Sequence, residues 1–175
     1  MISAKLVAHT TPTIAVGASN PEEFISYAAR VSNPSNQNNY DTAEGLLKYC
    51  IRNQHWSIFE MVNAVVEVKA PRDITRQMLR HRSFSFQEFS QRYSDEIEFC
   101  DREVRMQDKT NRQNSISIDD FYNGPNQFVR DCWDEDVKEI VELVKEHFKD
   151  QRKIGVAKEV ARVLLPEGLT MSTMY

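Results

Sequence analysis

The stretch RHRSFSFQEFSQRY, Arg80 to Tyr93, gathers side chains that can do chemistry. Arg80, His81 and Arg82 are three basic groups in a row, Glu88 is a lone carboxylate, and Ser90, Gln91, Arg92 and Tyr93 follow. From Lys69 to Arg92 there are six Lys or Arg against two acids, Asp73 and Glu88. A guanidinium is planar and donates two parallel hydrogen bonds, which matches a phosphate. Ser90 and the amides beside it can complete a phosphate cradle. The bland alternative is a solvated helix face laced with intrahelical ion pairs. Against it, Arg72, Arg76 and Arg80 share a face by their four-residue steps, yet none has an acid four residues away. Spacing alone therefore takes this segment to an anion-binding site suited to phosphate. Phe84, Phe86 and Phe89 read first as core or interface residues, with base stacking as the alternative.

That positive patch sits in an acidic protein. The net charge is -4 and the pI about 5.6, whereas a nucleic-acid-binding domain is usually basic throughout. At 175 residues the chain reads as a single domain spanning 1–175. It has no apolar run long enough for a membrane helix and no signal-peptide layout, so a cytoplasmic protein is expected. Cys50, Cys100 and Cys132 are odd in number and far apart, with no Cys/His spacing for a metal. They read as reduced thiols, and no protein nucleophile stands in a signature context.

The elements that must carry the patch can be read from periodicity. Residues 1–18 suggest a short strand and loop. Asn20-Pro21-Glu22-Glu23 starts a helix, with a capping amide, proline in the first turn and acids at the positive end, running to about Val31. SNPSNQNNYD (32–41) is a polar loop. Ala43, Leu46, Leu47, Cys50 and Ile51 recur at helical spacing over 42–53. Val62, Ala64, Val66 and Val68 alternate as in a strand ended by Pro71, and 72–82 reads as a helix. Glu96–Met106 is expected as a second strand and 107–119 as an excursion. Gly124-Pro125 should open a long helix with a Val137, Ile140, Val141, Val144, Phe148 stripe. A last helix over 156–165 is stopped by Pro166. The closing LTMSTMY is rather apolar, which suggests that the natural domain continues or that a partner chain covers it.

Arg80-His81-Arg82, seven residues, then Ser90 is the RHR-x7-S signature of the flavin-dependent thymidylate synthases, and Arg92-Tyr93 fits the S-x-R-Y that follows there. Ala29-Arg30-Val31-Ser32 resembles an early family segment, and HWSIFE (55–60) resembles H-x-[ST]-x-F-E. Gln77 precedes the signature by three residues, and EVARVLLP (159–166) looks like E-x-A-R-x-x-L-P. The ordered blocks cover about Ala29 to Pro166.

The resemblance implies an α/β fold of α+β type, with a curved, mainly antiparallel sheet and packed helices. It implies a homotetramer that converts dUMP to dTMP, with FAD as hydride carrier, methylenetetrahydrofolate as carbon donor and NADPH as reductant. By resemblance, Gln77, Arg80, Glu88, Phe89, Ser90, Gln91 and Arg92 would hold dUMP, with Arg162 reaching it from a neighbouring subunit. Ser32, His55, Ser57, Arg80, His81, Arg82 and Glu88 would hold FAD. No cysteine nucleophile, metal, nucleic-acid polymer or membrane is implied. Two departures stand out. Met61 occupies a place where relatives commonly have His, and relatives continue past Tyr175 into a segment that helps hold flavin and uracil. A truncated chain is therefore expected, and the alternative to an active enzyme is an impaired homologue that binds dUMP without turnover. A nucleic-acid-binding module built on Lys69–Arg92 is the third reading.

Overall fold

The computed structural model describes all 175 residues, Met1 to Tyr175. Contacts divide the chain into two compact units, Ala4–Glu67 with Tyr175, and Val68–Met174 with Met1–Ser3. The class is the expected one, helices combined with antiparallel strand pairs.

The first unit contains β1 (Ser3–His9), α1 (Pro21–Ala29), α2 (Ala43–Arg52) and the opening half of β2 (Ala64–Pro71). β1 is hydrogen-bonded to β2, and Thr10 and Asn63 tie the two strands together where they approach. α1 starts as its sequence dictates. The Asn20 side chain accepts from the Glu23 amide at 2.9 Å, and the Glu23 carboxylate accepts from the Ser19 amide at 2.6 Å. The polar loop after α1 is pinned by buried Arg30, which donates to the Asn39 carbonyl and to Thr42 Oγ. α2 closes in a Schellman turn: the His55 amide reaches the Cys50 carbonyl and the Gln54 amide the Ile51 carbonyl. The left-handed residue of that turn is Gln54, φ 59°, where glycine is usual. Trp56 then packs at a tilt on Phe59 across the short 3-10 turn Ser57–Met61.

The second unit pairs the closing half of β2 antiparallel with β5 (Met171–Met174), in the register Val68↔Met174 to Pro71↔Met171. The LTMSTMY segment contains this strand, and Met171, Ser172 and Met174 are buried. The chain turns from β2 into α3 (Arg72–Met78). The sequence suggested a helix to residue 82, but it ends earlier, because Arg80 and His81 donate to carbonyls three residues back and tighten the last turn. The strand expected over 96–106 is reduced to one bridge, Phe99↔Thr170, plus β3 (Arg105–Gln107). The excursion after it is a hairpin of β3 with β4 (Ser115–Ser117), whose loop is knotted around the Asp108 carboxylate.

α4 (Ile118–Tyr122) leads to α5 (Gln127–Lys153), capped by Asn126 rather than by Gly124-Pro125. The indole of Trp133 on α5 donates to the Arg102 carbonyl at 2.6 Å, and Arg102 forks onto Asp73 at 3.1 and 3.2 Å. The expected final helix is only α6 (Lys158–Ala161), followed by a 3-10 turn Arg162–Leu164. Phe148, Ala161 and Leu165 form the core there, packed with Ile97, Phe99, Val144 and Val156.

Candidate active site

Residues 81–87 leave α3 through a turn, and residues 88 and 89 lie beside β5. Glu88 bridges Met174, and the Phe89 amide donates to the Thr173 carbonyl at 2.8 Å. This pairing fixes the register of the signature segment, and side chains in extended backbone then alternate between faces. Glu88 meets Ser172, Thr75 and Arg72. Phe89 and Gln91 line a cleft of about 230 Å³ with Lys69, Glu96, Ile97, Glu98 and the β5 residues Met171, Ser172 and Thr173. Gln91 is buried there, and its carboxamide makes no hydrogen bond within the chain.

The basic residues are less uniform than their spacing suggested. Arg72 is buried with its Nη1 3.5 Å from Glu88, and Arg76 pairs with Glu167 at 2.8 Å. Arg92 pairs with Glu159 at 3.1 Å, while Arg162 donates its Nε to the Glu159 carbonyl at 3.0 Å. Arg92 and Arg162 are thus gathered around one residue. No arginine of α3 pairs with an acid of its own helix, since Asp73, the one carboxylate there, is taken by Arg102. The partners arrive from elsewhere in the unit, so Arg72 and Arg76 are not a free cationic face. Arg80, His81 and Arg82 are exposed and have no acidic partner, with the His81 ring 5.7 Å from that of Phe84. Gln77 is exposed on α3. Ser90 Oγ accepts from the Arg92 amide at 3.3 Å, a local turn that leaves its O–H available to a ligand.

Within the second unit, the structure thus lays Glu88 and Phe89 beside β5 and turns the chain over Ser90–Tyr93, with Arg92 and Arg162 both touching Glu159. Ser32, His55 and Ser57 belong to the first unit, where all three are exposed. The Schellman turn sets the backbone at His55, whose ring meets Tyr49 edge-on at 6.0 Å. Ser57 opens the 3-10 turn that ends at Met61. Burial pushes the Cys100 thiol up, away from the thiolate that a nucleophile needs. The sequence put Lys69 and Arg72 in the positive patch without a role of their own, and gave no sign of Thr75 or Ser172 as site residues. Alternation of Thr170, Ser172 and Met174 against Met171 and Thr173 was the available sign that LTMSTM is a strand with one polar line.

The model of the family described as thymidylate synthase complementing protein matches residues 5–175. The chain belongs to this family. It is 45% identical over 178 residues to a Paramecium bursaria Chlorella virus 1 protein named "Probable flavin-dependent thymidylate synthase", covering 99% of this chain and 77% of that one. It is 41% identical over 177 residues to the flavin-dependent thymidylate synthase of Synechocystis sp., covering 99% and 78%. Among solved structures it resembles the UMP/dUMP methylase PolB from Streptomyces cacaoi bound with 5-Br dUMP. The TM-score is 0.71 at 26% identity, covering 99% of this chain and 71% of that one.

Proposed function

We propose that this family member is a flavin-dependent thymidylate synthase, which methylates dUMP to dTMP. The reading is carried by one observation. The end of the RHR-x7-S segment is held to β5 at Glu88 and Phe89, and the chain there presents a carboxylate, a hydroxyl and a guanidinium at Glu88, Ser90 and Arg92. The viral and cyanobacterial relatives support it by their names, and the bromo-dUMP held by the methylase structure supports a deoxyuridine nucleotide as ligand.

On the second unit, Arg92 and Ser90 suit the nucleotide phosphate, with Arg162 reaching it from a neighbouring subunit, since charged forks and a free hydroxyl donate to its oxygens. Glu159 occupies Arg92 in the free chain and would exchange for phosphate. Gln77, Arg80, Glu88, Phe89 and Gln91 complete the nucleotide contacts. Arg80, His81 and Arg82 carry donors with no carboxylate to satisfy them, which fits the anionic groups of FAD, and Glu88 offers an acceptor. On the first unit, Ser32, His55 and Ser57 are the proposed FAD contacts. Bound flavin supplies the hydride chemistry, with methylenetetrahydrofolate as carbon donor and NADPH as reductant. The protein residues bind, orient and offset charge.

We also propose a homotetramer with the chain acting as one domain. Leu6 and Val7 on β1 and Ile140 and Leu143 on α5 are exposed apolar groups that assembly would cover. No helix is long and apolar enough to cross a membrane, and the free cysteines suit a reducing cytoplasm.

The test is a visible spectrum of purified protein after FAD addition and gel filtration. Flavin that co-elutes, bleaches on NADPH and reoxidises only with dUMP and folate supports the reading. A colourless protein that binds dUMP but releases no tritium from labelled dUMP replaces the enzyme with a nucleotide-binding homologue.

A further inference from the structure

We propose that Arg72, Thr75 and Ser172 are positioning residues for nucleotide binding: they hold Glu88 through one carboxylate oxygen and keep the other for a donor on the nucleotide. The inference rests on the nucleotide-binding reading of Glu88 and adds how this chain prepares that group.

All the contacts fall on Oε1. Ser172 Oγ donates to it at 2.9 Å, Arg72 Nη1 stands at 3.5 Å, and Thr75 Oγ, whose hydrogen is shared with the Arg72 carbonyl at 3.1 Å, lies 3.3 Å away. Oε2 receives no hydrogen bond from anywhere in the chain. The three partners are deeply placed, with Thr75 0%, Ser172 3% and Arg72 7% exposed. Glu88 itself is 18% exposed, so its free oxygen is open to water and to a ligand. A carboxylate serving only to neutralise a buried arginine would be expected to share both oxygens with it, as Asp73 does with Arg102. Here Arg72 Nη1 makes no hydrogen bond at all. It contributes charge, while the two hydroxyls aim the group.

The donors come from two elements, α3 and β5, and the Glu88 backbone is itself fixed by its bridge to Met174. A carboxylate clamped in this way loses little rotamer freedom when a ligand arrives, so its second oxygen binds at a lower entropic cost. None of the three residues lies in the signature itself.

The experiment is calorimetric titration of dUMP into the full chain, with melting curves run in parallel. The Thr75→Val/Ser172→Ala pair is expected to weaken dUMP binding about tenfold or more while the protein stays folded. In a Glu88→Ala background the same pair should change affinity less than about twofold, because it acts only through Glu88. Arg72→Lys should retain most of the affinity that Arg72→Met loses. A folded pair variant that binds like wild type overturns the proposal, and so does an equal loss in the Glu88→Ala background. If the pair variant fails to fold, Ser172→Ala alone and Thr75→Ser, which keeps the hydroxyl, decide between the same outcomes. A wild-type chain that does not bind dUMP removes the nucleotide reading and this inference with it. Binding that none of the substitutions alters removes this inference alone.

Discussion

Glu88→Ala separates what the carboxylate does for the fold from what it does for a ligand. The Arg72 side chain is 8% exposed and Glu88 18%, so removing the acid leaves a guanidinium in a place water reaches poorly. Breaking a buried ion pair from one side costs about 3–5 kcal/mol. The partial exposure of Glu88 admits water to the vacated space, which puts the cost near the lower end, about 3 kcal/mol. With a urea m-value of about 2 kcal/mol/M, the unfolding midpoint should fall by about 1.5 M with m unchanged. The apolar pair Arg72→Met/Glu88→Leu should recover most of this, to within about 1 kcal/mol of wild type, because no charge is left unpaired. The reasoning fails if Glu88→Ala moves the midpoint by less than about 0.3 M. It also fails if the apolar pair is as unstable as the single variant. Either result would mean that Arg72 is solvated well enough to need no counter-ion.

Arg92→Ala should weaken dUMP binding by about 1.5–3 kcal/mol, the worth of a hydrogen bond to a charged group. Its urea midpoint should barely move, since the Arg92–Glu159 pair is half-exposed on both sides. Gln54→Gly should stabilise the first unit by up to about 1 kcal/mol, the left-handed penalty less the extra chain entropy of glycine, read by melting. Asp108 is held well below the usual carboxylate range by the Thr110 amide first, then by Asn114 and the Asn111 amide. Its contribution is present above the unfolded pKa of about 4 and is lost as pH falls towards the folded value. Asp108→Asn should therefore flatten the acid limb of stability below about pH 4, followed by melting temperature against pH.

Much of the candidate site was legible because its chemistry is local in sequence. Glu88 to Arg92 lie within five residues, so their nearness in space needs no distant contact. The start of α1 was equally plain, since Asn20, Pro21 and Glu23 cap a helix without help from distant residues. What the sequence hid depends on tertiary pairing. Arg72 looked like one of three solvated arginines, and only the return of residue 88 beside β5 makes it a buried counter-ion. The strand expected at 96–106 shrank for a similar reason: its backbone partners are Leu169 and Met171, and β5 is already committed to β2 and residue 88–89. The 156–165 helix was overcalled because Ala157 to Leu165 fits helical spacing equally well as an α-turn continued by a 3-10 turn.

The chain has two tryptophans, and they fall one to each compact unit. Trp56 is 55% exposed, beside His55 and Ser57. Trp133 is fixed through its indole N–H to the Arg102 carbonyl. Replacing either one by phenylalanine leaves a single emitter, so ordinary fluorescence can follow each unit separately. A flavin docked near His55 would quench Trp56 by energy transfer, and loosening of the Asp73–Arg102 fork would shift the emission of Trp133. The molecule thus carries two native optical channels, through which events in the first unit and the integrity of the second can be timed independently.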